Sequence, residues 1–384
     1  MVFSLLVGTS MGLMPPCTTC IGPRFSWDTI PTFIHSSDQC GGTDCVNNGL
    51  STADLALITR KNFSLVTLEK WQGANISPPI TEEDAWVSAA KQIKQIDPSM
   101  FVLVWFDSFR IYTADKALNP DLGTWCGTGH FGPAEFLETG GKMDGKLDPT
   151  SPYLLKNKSG LPALESWSKC HIFDHTAAIA RNYWTDMCLN LTASGVIDGC
   201  GADASWQNGV DQMAEWEISS TTATAWEAGH KAMMLQTTEA LNKGILMGKD
   251  PWELAEGYVN GALHEGCDAD EATILTLQNL TKISKQSSPP KRMVYECHGT
   301  GDLDELAAFL IGAGPYHYYG FGGWTGMTPA SQHWMPEFAK PLGEPLADGA
   351  KDATTGIWSR AFQSGTNVTF DLTTTPKGTI SWGS

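Results

Sequence analysis

The feature that most constrains this chain is its rhythm. Between Phe33 and Gly323, short β-branched or aromatic runs that end in polar or Gly residues alternate with stretches of helical period. Strand, helix and strand repeating in this way is the unit of a parallel sheet covered by helices. Eight runs satisfy the strand pattern: Pro31–His35, Leu65–Glu69, Phe101–Phe106, Val196–Asp203, Gly244–Gly248, Tyr258–Glu265, Arg292–Cys297 and Tyr316–Gly322. Helical stretches fall at Glu82–Ile96, His175–Ala193, Thr222–Asn242, Ala272–Lys285 and Asp302–Gly312. Eight strands with intervening helices over about 300 residues predict an α/β fold, the (β/α)8 TIM barrel. A doubly wound sheet is the alternative, but no Gly-x-Gly-x-x-Gly turn follows the first strand.

Two segments break the rhythm. Thr113–Ser168, rich in Gly, Pro and Asp, is a long polar insertion after the third strand and is expected to run over one barrel face. After Trp324, Pro336, Pro341 and Pro345 lead into Ile357–Phe362, Asn367–Leu372 and Gly378–Trp382, separated by Ser364-Gly365 and Pro376-Lys377. This pattern predicts a small C-terminal antiparallel β appendage. The expected organisation is a leader or N-terminal extension over 1–24, a barrel over 25–335 and the appendage over 336–384. Val2–Gly8 is apolar but has no Lys or Arg before it, so it makes a poor signal peptide. No run approaches the roughly 20 apolar residues of a membrane-spanning helix.

Composition narrows the setting. The net charge is −17, which repels nucleic-acid phosphates and anionic lipid surfaces, so neither partner is expected. Ten cysteines exceed what most cytosolic enzymes keep as free thiols, and six Asn-x-Ser/Thr sequons begin at Asn62, Asn75, Asn157, Asn190, Asn279 and Asn367. Together with the acidic balance they favour a secreted, disulfide-bonded glycoprotein. Cys17-Thr-Thr-Cys20 lacks a second ligand pair, so a disulfide is preferred there to a metal.

In a barrel the reacting groups sit at the C-terminal strand ends. Here those ends read Leu68-Glu69-Lys70-Trp71, Trp105-Phe106-Asp107-Ser108, Gly201-Ala202-Asp203, His264-Glu265 and Glu296-Cys297-His298. Facing carboxylates are what glycoside hydrolysis needs: one protonates the leaving oxygen, the other attacks the anomeric carbon or activates water. Trp71, Trp105, Trp206, Tyr319 and Trp324 lie near the same ends, where flat rings stack on sugar faces or simply fill the barrel mouth. Glu69, Asp107 and His264 are candidate substrate contacts, the two acids bonding sugar hydroxyls. Asp198 lies five residues before Asp203, so the two face opposite ways unless Gly199 and Gly201 permit a bulge. Asp203 is therefore the catalytic candidate and Asp198 a supporting, buried acid.

Val196-Ile197-Asp198-Gly199-Cys200-Gly201-Ala202-Asp203, followed by Tyr258-Val259-Asn260-Gly261-Ala262-Leu263-His264-Glu265, resembles the paired motifs of polygalactosaminidase-like glycoside hydrolases and of related hypothetical glycosyl hydrolase families. The resemblance spans Phe33 to Gly323 and implies the barrel, with Asp203 as nucleophile or base and Glu265 as general acid. It departs from the pattern at Gly201, where a bulky apolar residue is usual, and in the Thr113–Ser168 insertion. Substrate identity therefore does not transfer. Glu296 is the rival acid, and Cys267 with Cys297 is a candidate disulfide bracing the loop beside Glu265.

Other chemistries find less support. No Gly-x-Ser-x-Gly turn or outstanding cysteine marks a nucleophile. His171 and His175 are four apart without the rest of a zinc motif, so neither a metal nor a cofactor is expected, although an Asp/Glu cation site leaves little spacing signature. A barrel that binds carbohydrate without turnover, or a polysaccharide lyase, are the alternatives. The first is favoured if Asp203 or Glu265 points into the core, and the hydrolase if the two converge at about 5–9 Å.

Overall fold

The computed structural model describes residues 22–36, 46–61, 63–70, 72, 82–111, 150–165, 170–204, 209–210, 212–241, 244–249, 251–286, 294–322 and 334–383. Eight parallel strands form one sheet: β1 (Phe33–Ser36), β2 (Leu65–Glu69), β3 (Phe101–Asp107), β4 (Gly199–Asp203), β5 (Ile245–Gly248), β6 (Gly261–His264), β7 (Val294–Gly299) and β8 (His317–Phe321). Each pairs with the next in sequence. The sheet closes where the Tyr319 amide donates to Pro31 O at 2.9 Å and Thr32 bridges Tyr319. The consecutive order contains no reversal point, which sets aside the doubly wound alternative.

The helices are α1 (Thr52–Arg60), α2 (Glu82–Ile96), α3 (Ala178–Ala193), α4 (Ser220–Ala240), α5 (Pro251–Glu256), α6 (Glu271–Gln286) and α7 (Leu303–Gly312). Sequence periodicity locates five of them and misses α1 and α5. None is long and apolar enough to cross a membrane. The insertion leaves and returns through an antiparallel pair, Arg110–Ile111 with His171–Ile172, just beyond the end of β3.

Period-two alternation sorts the strand side chains into two cores. Phe33, Leu65, Phe101, Leu103, Trp105, Ile245, Met247, Leu263, Val294 and Tyr318 fill the barrel interior. Val66, Leu68, Val104, Phe106, Cys200, Leu246 and Tyr319 face outward and join the helices, for example Trp86, Ala89 and Ile93 of α2. Below, Phe25 packs on the rings of Tyr316 and Tyr318, and the Tyr318 hydroxyl donates to Arg24 O at 2.8 Å. Residues near 22–25 thus floor the barrel at the N-terminal ends of its strands.

The glycines of β4 are part of this packing. From Leu103↔Gly199 to Asp107↔Asp203 the register with β3 is unbroken, so no bulge occurs and Gly199, Gly201 and Asp203 share the inward face. A Cβ on Gly201 would lie 1.7 Å from the Trp105 ring. Gly201 is small because the indole lies across it. Gly201→Ala should therefore lower stability by about 3 kcal/mol, read as a lower denaturant midpoint at unchanged slope. An unchanged midpoint would show that the indole moves aside at no cost.

Beyond the barrel, β9 (Ala350–Lys351), β10 (Trp358–Ala361), β11 (Asn367–Phe370) and β12 (Gly378–Ser381) form a four-stranded antiparallel sheet. It packs on α7 and is bonded to both ends of that helix. Asp304 accepts the amides of Lys377 and Gly378 at 2.9 and 2.8 Å. Arg360 donates to the last carbonyls, Leu310 O at 2.9 Å and Ala313 O at 2.5 Å, where a cation also suits the helix dipole.

Two disulfides lie among the described residues: Cys188–Cys200 ties α3 to β4, and Cys267–Cys297 ties the loop after β6 to β7. Cys170 is also disulfide-bonded. Cys17, Cys20, Cys40, Cys45 and Cys126 lie outside the described residues.

Candidate active site

The C-terminal ends of β2 to β6 converge on a cluster of opposed charges. Asp203 ends β4, and its Oδ1 accepts the Ala204 amide at 2.8 Å. Ala204 has φ 59°, a left-handed conformation that costs a non-glycine residue about 1 kcal/mol and turns the chain sharply at the acid. The Lys70 ammonium is paired with Asp203 Oδ2 and lies 2.8 Å from Glu69 Oε1. Lys249, immediately after β5, places its ammonium 3.3 Å from Asp203 Oδ1 and 3.3 Å from Glu265 Oε2. Side-chain exposure rises from 9% at Asp203 through 24% at Lys249 to 40% at Glu265, so the row runs from the buried side of the barrel mouth outward to solvent.

Burial pushes the Asp203 carboxyl up, but Lys249, Lys70 and Arg110 outweigh it and hold the group well below the ordinary carboxylate range. Asp203 is therefore an anion at neutral pH. Asp203 raises Lys249 in turn, against the effect of burial. Glu69 is pushed up by burial and pulled down further by Lys70 and by His35, whose Nε2 lies 2.8 Å from Oε2, leaving it below its ordinary value. Asp107 is raised, first by burial, although Arg110 bonds it. Its Oδ2 lies 3.2 Å from Arg110 Nη1, while Arg110 Nε donates to the buried Glu165 at 2.8 Å.

A second layer fixes the backbone of the acid. Ser108 donates its amide to Asp203 O at 2.8 Å and its hydroxyl to Ala204 O at 2.6 Å. Because that hydroxyl proton is committed, His230 Nε2, 3.0 Å away, is the donor to Ser108 Oγ. His175 Nε2 lies 2.8 Å from Ser108 O, and the two imidazoles stack at 4.5 Å. Burial holds both rings neutral, His175 down to about 3.

The remaining candidates fall in different places. Asp198 precedes β4 at the other end of the barrel, accepting the Val102 amide at 2.8 Å and pairing with Lys94 at 2.6 Å. Glu296 points into the barrel, where Oε1 accepts the Thr67 hydroxyl at 2.6 Å, and burial pushes it up to about 8. Trp105 is a buried interior residue. Tyr319 faces outward, fully buried against Phe309 and Phe338, and donates to Glu305 at 3.1 Å. His264 also faces outward, beside the Tyr295 ring. Trp71, Trp206 and Trp324 lie outside the described residues. Asp203, Glu265, Glu69 and Asp107 are thus the sequence candidates gathered at the mouth.

Sequence reasoning missed Lys249, His35, Ser108, His230 and the Glu165 partner of Arg110. A search of strand ends for cations as well as carboxylates finds Lys249, since Met247-Gly248-Lys249 ends β5. Among the described residues no cluster of three His, Cys, Asp or Glu side chains is arranged to hold a metal ion.

A barrel with acids at its strand ends is compatible with glycoside hydrolysis, and the family match gives the class, a glycoside hydrolase. Residues 94–366 match the model of hypothetical glycosyl hydrolase family 15, and the chain belongs to that family. Its substrate class is accordingly carbohydrate. Among solved structures the chain is similar to the glycoside hydrolase domain of PelA from Pseudomonas aeruginosa, at 12% identity and TM-score 0.42 over 80% of this chain and 96% of that one. It is also similar to a noncanonic maltogenic α-amylase, AmyB, from Thermotoga neapolitana, at 10% identity and TM-score 0.48 over 89% of this chain and 85% of that one. A third is a GH36 α-galactosidase from Geobacillus stearothermophilus, at 11% identity and TM-score 0.46 over 90% of this chain and 48% of that one. No curated protein sequence matches the chain.

Proposed function

We propose that the chain is a secreted, retaining glycoside hydrolase with Asp203 as nucleophile and Glu265 as general acid and base. One observation carries the reading. Both carboxylates lie 3.3 Å from the same Lys249 ammonium, so their nearest oxygens are at most twice that distance apart. That ceiling, about 6.6 Å, admits the about 5–5.5 Å of retaining pairs and only the short edge of the about 6.5–9.5 Å that inverting pairs need to admit a water, which favours retention. Asp203, kept anionic in its ion-paired frame, is suited to attack the anomeric carbon. Glu265, at the solvent edge across Lys249 from the nucleophile, is placed to exchange a proton with the leaving oxygen and then with water.

The mouth also bears on the sugar. Lys70 is answered by Glu69 and Asp203, and Arg110 by Asp107 and Glu165. These buried cations are already matched within the protein, which favours an uncharged or cationic sugar over a polyanion. Secretion is supported by the disulfides and by exposed sequon residues at Asn190, Asn279 and Asn367.

The test is a reducing-sugar assay against neutral, amino and sulfated polysaccharides, with Asp203→Asn and Glu265→Gln alongside. Release abolished in both variants supports the pair. Binding without release by the wild type moves the reading to a carbohydrate-binding barrel, and release undiminished in Glu265→Gln removes Glu265 from the acid role.

A further inference from the structure

Lys249 stands where glycoside hydrolysis moves a charge. Its ammonium is equidistant from Asp203 and Glu265, while of its neighbours of like charge Lys70 is shared between Glu69 and Asp203 Oδ2 and Arg110 is paired with Asp107 and Glu165. Lys70 already pairs with Asp203 Oδ2 and the Ala204 amide already bonds Oδ1, so neutralising Asp203 alone does not require a second lysine.

Resting on the assignment of Asp203 and Glu265, we infer that Lys249 is a shared counter-ion that follows negative charge from the nucleophile to the acid. In the first step an Asp203 oxygen bonds the anomeric carbon and the bond to the leaving oxygen breaks. The Glu265 carboxyl proton goes to that oxygen, Asp203 loses its charge as an ester, and Glu265 gains one as a carboxylate. In the second step Glu265 takes a proton from water, whose oxygen bonds the anomeric carbon, and Asp203 leaves as a carboxylate. One negative charge thus remains beside Lys249 throughout. Asp203 keeps Lys70 and the Ala204 amide when Lys249 turns to Glu265, so the ammonium tightens its hold on Glu265 as that group becomes a carboxylate, and this gain, made only as the charge moves, lowers the barrier to glycosylation.

A lysine that only packs the mouth would impair all substrates alike, whereas a counter-ion for Glu265 matters only when Glu265 acquires charge. A 2,4-dinitrophenolate leaves without a proton, so Glu265 stays protonated in its departure; phenol needs the proton. The probes are phenyl and 2,4-dinitrophenyl glycosides of glucose, galactose, N-acetylgalactosamine and galactosamine in both anomers, read as kcat/KM, which reports glycosylation. Lys249→Met is expected to lose about a hundred-fold on the phenyl glycoside and at least ten-fold less on the dinitrophenyl one, with Lys249→Arg recovering most of the loss. Equal losses on both leaving groups, or no loss, would overturn the counter-ion role.

A second arm needs no turnover. Stability is measured for Lys249→Met, Asp203→Asn, Glu265→Gln and the two doubles that contain Lys249→Met. Sharing predicts non-additivity in both cycles, and coupling to Asp203 alone overturns it. Full activity in Asp203→Asn or Glu265→Gln would fell the assignment of the pair itself. Inactive acid variants beside an unimpaired Lys249→Met would fell only the inference about the lysine.

Discussion

Asp203→Asn is expected to lower kcat by about 10⁴-fold or more while the protein stays folded. The fold survives because asparagine keeps an acceptor for the Ala204 amide, and Lys70 and Lys249 keep Glu69 and Glu265 as partners. The chemistry does not, because an amide neither carries the charge nor forms the glycosyl ester. Azide added to Asp203→Gly should restore turnover and yield a glycosyl azide, since a small anion fits where the carboxylate stood. Loss of activity without azide rescue would make Asp203 a supporting charge. The pH profile follows from the same frame. A carboxyl held well below its ordinary value stays ionised in mild acid, so the acid-side fall in kcat/KM from this group lies below the ordinary Asp value of about 3.9. Its contribution to stability is present above the unfolded value and is lost as pH falls through the folded one.

Glu296→Gln is expected to raise stability at neutral and mildly alkaline pH. Burial pushes Glu296 from 4.5 to about 8, only partly offset by the Thr67 hydroxyl, so the folded protein holds a proton that the unfolded chain releases. Stability from this group is full below pH 4.5 and falls as pH rises toward 8, by about 1.4 kcal/mol per pH unit. Glutamine needs no proton and removes the slope. At pH 5 the variant should match or trail the wild type, because its amide hydrogens enter a site that offers few acceptors. By pH 8 it should lead by on the order of 3 kcal/mol. Denaturant midpoints at pH 5, 7 and 8 measure this, and parallel curves would show that Glu296 shares its proton with another group. Near-normal turnover in Glu296→Gln, beside a dead Glu265→Gln, separates the two acids.

Where the residue pattern has one solution, the fold was legible. β2 and α2 carry the same boundaries in the sequence and in the structure, the first a run of apolar residues ending in Glu69, the second a clear apolar stripe. β4 begins three residues later than its apolar run suggests, because Asp198 turns outward to Lys94 before the ladder starts. α1 was missed although Ser51 caps it at Asp54, since Thr52–Arg60 spans only nine residues, too few turns for a helical period to stand out. The site was half legible. Strand ends locate Asp203, Glu265, Glu69 and Asp107, but a strand buried on both faces does not reveal in sequence which of its aromatics looks inward. Tyr318 and Tyr319 differ by one residue, yet the first lines the barrel and the second the helix layer. Ser108 and His230 are 122 residues apart, and only the closed barrel brings them together.

The clasp on α7 has a consequence for how the chain is cut. Every residue from Glu305 to Gly312 is buried, walled by the barrel on one side and the C-terminal sheet on the other. Ending the polypeptide at 335 would strip that wall, leave the carbonyls of Leu310 and Ala313 without Arg360, and turn a greasy helix toward water. The last fifty residues therefore behave as a missing barrel stave rather than a passenger, and a truncated chain should clump before it can be assayed.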